Sequence, residues 1–249
     1  MLRDCAPGGY RYLPGIPAFS SGTVAMPGHE IVHATLAAPL PWRDGFARID
    51  RYLREAGRPR AALCGIELRS PKPFTFDGFA GFNAGYRALL AEWRILIGED
   101  NPIPRTNVAP VAGAPPEPSL YAFAYTAPGS TPQPTFVVAG AGEMRDRAQG
   151  SDGIVRRGET SPDAMREKAR FVMDVMQERL RALGGVWGRV TAIEIYTALP
   201  VEGFLVEDLL RPAGPAAIHG VRLFPSRPPI EGLEFEMDLR GVARELVLA

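Results

Sequence analysis

From Trp42 onward, apolar side chains fall at spacings of four, three, four and three: Trp42, Phe46, Ile49, Leu53 and Ala56. That period predicts an amphipathic helix, which Gly57 and Pro59 then end. The stripe returns 127 residues later as Ala169, Met173, Met176, Leu180 and Leu183, with Gly184 in the place of Gly57. At the same offset, Ile66-Glu67-Leu68 becomes Ile193-Glu194-Ile195. Upstream, Phe19-Ser20-Ser21-Gly22 corresponds to Val137-Val138-Ala139-Gly140 at an offset of 118, so one loop differs in length by nine residues. Stripe, stop and strand recurring together indicate one supersecondary unit used twice.

Other elements fill in around this frame. Strands are predicted near Ser21-Gly22 and over Glu30–Ala38, Ala61–Leu68, Thr106–Val111 and Leu120–Thr126. Phe79, Phe82, Tyr86, Leu89 and Trp93 mark a second helix. APGSTPQP, before Thr135, is the best linker. Beyond it, strands are predicted over Thr135–Ala139, Ile154–Arg157, Arg189–Thr197, Val221–Phe224 and Leu233–Leu239. Helices are predicted from Asp163 to Leu183, with Ser161 as cap and Pro162 at the first position, and from Val201 to Leu210. Each half reads β-β-α-β-α-β-β, an α+β layer with two helices on one face of a sheet. The expected domains are 1–127 and 135–249, with 128–134 as linker.

Composition narrows the function classes. Twenty-eight acidic and 28 basic residues cancel, so no chain-wide charge favours nucleic acid or an anionic membrane. Hydrophobic content of 46% is ample for buried cores. Cys5 and Cys64 make no disulfide framework, and Cys64 reads as a small buried apolar residue. No apolar run has the length of a membrane span, and the N-terminus lacks a signal-peptide core, so a cytoplasmic protein is expected.

Familiar cofactor motifs do not appear. GAGEMR lacks the third glycine of a dinucleotide fingerprint, and there is no phosphate loop or nucleophile elbow. His29 and His33 stand four apart but in a strand or loop pattern, with no third ligand to complete a metal site.

Several segments resemble the YjgF/RidA family of imine and enamine deaminases. FVVAGAGEM and the stretch from IVRRGETSPDAM through the Gly-Gly helix stop to TAIEIYTAL follow the family's order. FDGFAGFNAGYRALL is similar to its second helix, with Asn83 and Tyr86, and IPRTNVAPV to its arginine-bearing strand. The resemblance implies two fused RidA-like, chorismate-mutase-like domains and no cofactor. It implies that Arg105 holds a substrate carboxylate, that Ser21 and Gly22 line the pocket, and that an N-terminal tyrosine, Tyr10 or Tyr12, covers its mouth. The family's water-positioning glutamate lies fifteen residues after the arginine, where this chain has Leu120. In the second half Glu234 holds that place, His219 stands where arginine would be, and Ala139-Gly140 replaces Ser-Gly. Each half keeps a different part of one pocket.

The chemistry of these side chains is consistent with that division. A guanidinium matches a carboxylate in two parallel bonds, although a structural ion pair would also explain Arg105. His219 suits acid–base work near neutral pH, or donation to a carboxylate, or a plain structural bond. Glu234 and Glu236 alternate in LEFEMDL and are expected to share one strand face, with Glu236 solvated. Asn83 has a local hydrogen bond as its plainer role.

The function expected is hydrolytic deamination of a small carboxylated imine or enamine, such as an aminomuconate. Glu234 and His219 would serve as the catalytic pair. Arg105, Ser21, Gly22, Asn83, Tyr12 and Gly140 would bind substrate, without metal or cofactor. Two other readings stand beside it: a chorismatase-like hydrolase of a carboxylated enol ether, and a non-catalytic binding or scaffold protein. The expected partners are the substrate and further copies of the chain, a trimer by the family's habit, with no nucleic acid or membrane.

Overall fold

In the computed structural model the backbone is described for residues 1–249, and side chains for all of these except 147 and 148. The predicted stripes form helices. Helix α1 spans Trp42–Glu55 and buries Phe46, Ile49 and Leu53. Gly57, at φ +66°, lets the chain turn away. Helix α2, Phe76–Glu92, is capped by Thr75, whose hydroxyl accepts from Gly78 N. Helix α3, Pro162–Ala182, is capped by Ser161 and buries Met165, Ala169, Val172, Met173, Met176 and Leu180. Its end closes where Gly184 adopts φ +76° and Gly185 N donates to Leu180 O at 2.9 Å.

The strands of the first half are β1 (Arg3–Cys5), β2 (Tyr10–Leu13), β3 (Gly22–Ala25), β4 (His29–Pro41), β5 (Leu63–Arg69), β6 (Arg105–Pro110) and β7 (Ser119–Pro128). Those of the second half are β8 (Phe136–Gly142), β9 (Ala192–Thr197), β10 (Arg222–Arg227), β11 (Glu236–Gly241) and β12 (Arg244–Leu248). They do not form two RidA-like sheets. All twelve join one mixed sheet in the order β1-β2-β3-β8-β11-β9-β10-β6-β5-β7-β4-β12.

The physical reason lies at the edges. An edge strand leaves a row of backbone donors and acceptors unmet. Here β3 of the first half pairs with β8 through Gly22↔Val138, and β10 pairs with β6 through Ser226↔Pro110. Strand β12 runs parallel to β4 from Arg244↔Val32 to Leu248↔Leu36. Each half thus supplies partners for the other's open edges.

Helices α1 and α2 cover the first-half strands around Phe46, Leu53, Tyr86 and Phe123, while α3 covers the second-half strands around Phe136, Ile195 and Leu239. A third cluster, including Tyr10, Tyr12, Ile31, Cys64 and Val242, contains no helical residue. Two local expectations also change. Ile154–Arg157 is a turn with one bridge, Met144↔Ile154, and Val201–Leu210 narrows to a π-helical turn, Leu205–Leu210, leading into a short α-helix, Arg211–Ala213. No helix among the described residues is long and apolar enough to cross a membrane.

Candidate active site between the two halves

Arg105 opens β6, and the segment before it is held to the Phe19 loop. Ser20 Oγ donates to Pro102 O at 2.9 Å, Asn101 Nδ2 donates to Ala18 O at 2.6 Å, and Asn101 Oδ1 accepts from Ile103 N at 2.9 Å. The guanidinium carbon lies 4.6 Å from the Tyr86 ring centre, 4.9 Å from Phe19, 5.4 Å from Phe82 and 5.5 Å from Phe79. Aromatic faces carry negative charge density that favours a cation. Nη2 donates to Asn83 Oδ1 at 2.6 Å, which orients the fork. Burial pushes the Tyr86 hydroxyl up to about 12, so it stays protonated beside Arg105.

A narrow cleft of about 30 Å³ opens here, lined among others by Phe19, Arg105, Asn107, Gly140, Ile230 and Glu236. Gly140 sits on β8, where a Cβ would collide with Glu236 Oε1 and press on Thr106. Its N–H donates to Thr106 Oγ1 at 3.1 Å, and Thr106 donates to Asp238 Oδ2 at 2.6 Å. From α3, Arg179 Nη1 donates to Ala139 O at 2.9 Å and to Gly140 O at 3.3 Å.

Glu236 is the first residue of β11, and the approach to that strand is pinned by a buried ion pair. Lys168 Nζ meets Glu143 Oε1 at 3.1 Å with both side chains fully buried. Glu143 also accepts from Glu234 N at 2.7 Å and Phe235 N at 3.1 Å. Burial pushes the Glu143 carboxyl up, while Lys168 and these backbone donors pull it back.

Behind the cleft lies a buried charge layer. Glu67, Glu194 and Asp238 place ligand-capable oxygens within 4.8 Å of one another, the spacing of a cation site. Protein side chains already serve Glu67 and Glu194. Arg240 Nη2 meets Glu194 Oε1 at 2.8 Å, His33 Nε2 meets Glu67 Oε1 at 2.7 Å, and Arg69 Nη2 meets Glu67 Oε2 at 3.5 Å. Burial would raise the Glu67 carboxyl, but His33, Arg240 and Arg69 hold it well below the usual range. Asp238 moves the other way: burial, with Glu194 and Glu67 close by, pushes it well above the usual range.

Of the residues singled out from the sequence, Arg105 and Gly140 line this cleft, and Asn83 reaches it through its bond to Arg105. Ser21 and Gly22 lie beside it, bonded to the Ala139 and Val138 backbone. Tyr12 is buried in the strand-only cluster and donates to Asp100 Oδ2 at 2.9 Å. Tyr10 donates to Leu63 O at 3.1 Å. Glu234 precedes β11 and pairs with Arg227 at 3.3 Å. His219 ends a 3-10 turn and lines a surface groove with Thr131, Arg189 and Val242. Glu236 and Asn107 enter the cleft instead. Asn107 follows Arg105 by two residues on one strand, which was the available signal.

The family model of the 2-aminomuconate deaminase CnbZ matches residues 2–246. A 2-amino-5-chloromuconate deaminase from Comamonas testosteroni is 41% identical over 246 residues, covering 98% of this chain and 97% of that protein. A solved chorismatase superposes with a TM-score of 0.51 at 15% identity, covering 94% of this chain and 77% of that one, a likeness of fold. A cyanuric acid hydrolase from A. caulinodans gives a TM-score of 0.41 at 11% identity over 89% of this chain and 69% of that one. The family model, the curated relative and the chorismatase fold correct the RidA/YjgF assignment. It rested on short motifs in both halves, chiefly the arginine-bearing strand and the Gly-Gly helix stop, and many unrelated helices end in such a glycine.

Proposed function

The chain belongs to the 2-aminomuconate deaminase CnbZ family, and on that premise we propose that the Arg105 cleft hydrolyses the C–N bond of an aminomuconate-like enamine diacid, releasing ammonia. One observation carries this reading: Arg105 from the first half and Glu236 from the second line the same cleft. Arg105 holds a substrate carboxylate through its fork. The enamine takes a proton on carbon and becomes an iminium. Water attacks the C=N carbon and gives up its proton to the Glu236 carboxylate. Glu236 returns that proton to the carbinolamine nitrogen, the C–N bond breaks and ammonia leaves, while the hydroxyl proton goes to solvent in exchange for the one that solvent supplied to carbon, so the oxygen remains as the carbonyl or its enol. Gly140 leaves room for Glu236 to reach the reacting carbon. The sequence consumes the substrate and one water, with Glu236 and a borrowed solvent proton both returned to their starting state.

Ammonia release from 2-aminomuconate generated in situ tests the reading. Saturable release by the wild-type chain, abolished in Arg105→Ala, is expected. Release no faster than the buffer rate would overturn it. An enolpyruvyl ether run in parallel checks the chorismatase-like alternative, and no cleavage of it is expected.

A further inference from the structure

The cleft contains a second donor that the reaction as described does not use. Asn107 shares a strand face with Arg105, about 6.7 Å further along β6 at the usual rise per residue. It is buried and lines the same cleft. Its Oδ1 accepts from Ser70 Oγ at 2.8 Å, and Ser70 is itself fixed, donating from its backbone N to Val108 O at 2.8 Å. That bond sets the amide's orientation, because the oxygen is already engaged. Nδ2 is left with no hydrogen-bond partner among the described residues. A buried donor without a partner is costly and uncommon in folded proteins. Around it, Met144, Ile230 and Leu233 form an apolar wall.

Resting on the proposed deaminase reading, we propose that Asn107 is a substrate-binding residue that selects diacids. Its amide donates to the carboxylate remote from Arg105, while the apolar wall holds the conjugated chain between the two ends. Arg105 supplies charge and affinity for any carboxylated ligand. Asn107 supplies discrimination, because a ligand lacking the second carboxylate leaves its donor unmet.

Two unreactive ligands separate these roles: trans,trans-muconate, and sorbate, a conjugated chain of the same length and geometry with a methyl group at one end. Calorimetry on the full chain is expected to show muconate binding more tightly than sorbate. Asn107→Ala is expected to weaken muconate binding about tenfold, the scale of one hydrogen bond to a charged group, and to leave sorbate unchanged. Arg105→Ala is expected to weaken both. Ser70→Ala, which frees the amide to rotate, keeps the question answerable should the Asn107 variant not fold, and is expected to reduce the muconate preference. An unchanged muconate-to-sorbate ratio in the folded Asn107 or Ser70 variant would overturn the proposal. Loss of selectivity in those variants without turnover of 2-aminomuconate by the wild type would overturn the deaminase reading and leave the diacid subsite standing.

Discussion

Glu236 and Glu234 stand two residues apart yet face different surroundings: Glu236 lines the Arg105 cleft, while Glu234 turns to Arg227. Strand β11 begins only at Glu236, so the alternation that would place both on one face does not reach Glu234. Glu236→Gln is therefore expected to keep substrate binding and lower kcat by about 10²–10⁴-fold, the usual contribution of an acid–base group. Glu234→Gln removes a half-exposed ion pair worth at most about 1 kcal/mol and is expected to keep the wild-type kcat. Steady-state ammonia release distinguishes the two. A normal rate in the Glu236 variant would remove that residue from the chemistry.

Arg105→Lys keeps the charge and loses the fork. It is expected to recover little of the productive binding lost in Arg105→Ala, for which about 2–5 kcal/mol is the scale of a truncated buried charge pair. The alanine variant is also expected to melt earlier, because the guanidinium fills a box of four aromatic rings. Paired kinetics and thermal melts read both effects. Wild-type kcat/KM in the lysine variant would argue against a bidentate clamp.

Lys168→Met is expected to destabilise the fold by roughly 3–5 kcal/mol, because Glu143 is left charged and fully buried. The loss should shrink as pH falls, since protonation then neutralises Glu143. Adding Glu143→Gln should restore part of it at neutral pH. Urea midpoints of the single and double variants give the answer, and equal midpoints for wild type and Lys168→Met would refute it.

Asp238 gives stability a pH dependence of known sign. Its folded-state pKa is raised by burial and by Glu194 and Glu67, so the native state holds a proton that the unfolded chain releases near pH ~4. The stability this group contributes is complete below that value and is lost as pH rises towards the folded pKa. Relative to wild type, Asp238→Asn is therefore expected to gain stability as pH rises, by up to about 1.4 kcal/mol per pH unit within that window. Denaturant titrations across the range test this. Parallel curves would mean that Asp238 is ionised in the native state.

The parts of the molecule legible in the sequence were those with local causes. Helices α1 and α3 could be read because stripe, cap and glycine stop all lie within the segment they specify. Arg105, Asn83 and Gly140 were singled out through short patterns, and the fold brings Arg105 and Gly140 to one cleft with Asn83 bonded to the arginine. Sheet closure could not be read, since nothing near Arg244 states that its partner is Val32. The same distance problem hid the charge layer: Glu67 and Arg240 look like ordinary strand residues until the halves stack and bury both. That Glu236 rather than Glu234 lines the cleft could not be read, because Glu234 was singled out by a family position and the start of β11 depends on pairing with β8 and β9.

Strand β12 covers Arg244–Leu248, and its partner β4 begins at His29, more than two hundred residues earlier in the chain. During synthesis the N-terminal half leaves the ribosome long before the strand that completes its outer border has been made. Until β12 has emerged, β4 presents an unpaired edge, which is a template for association with other nascent chains. A stop codon ahead of Arg244 would therefore remove a structural strand and leave that border open.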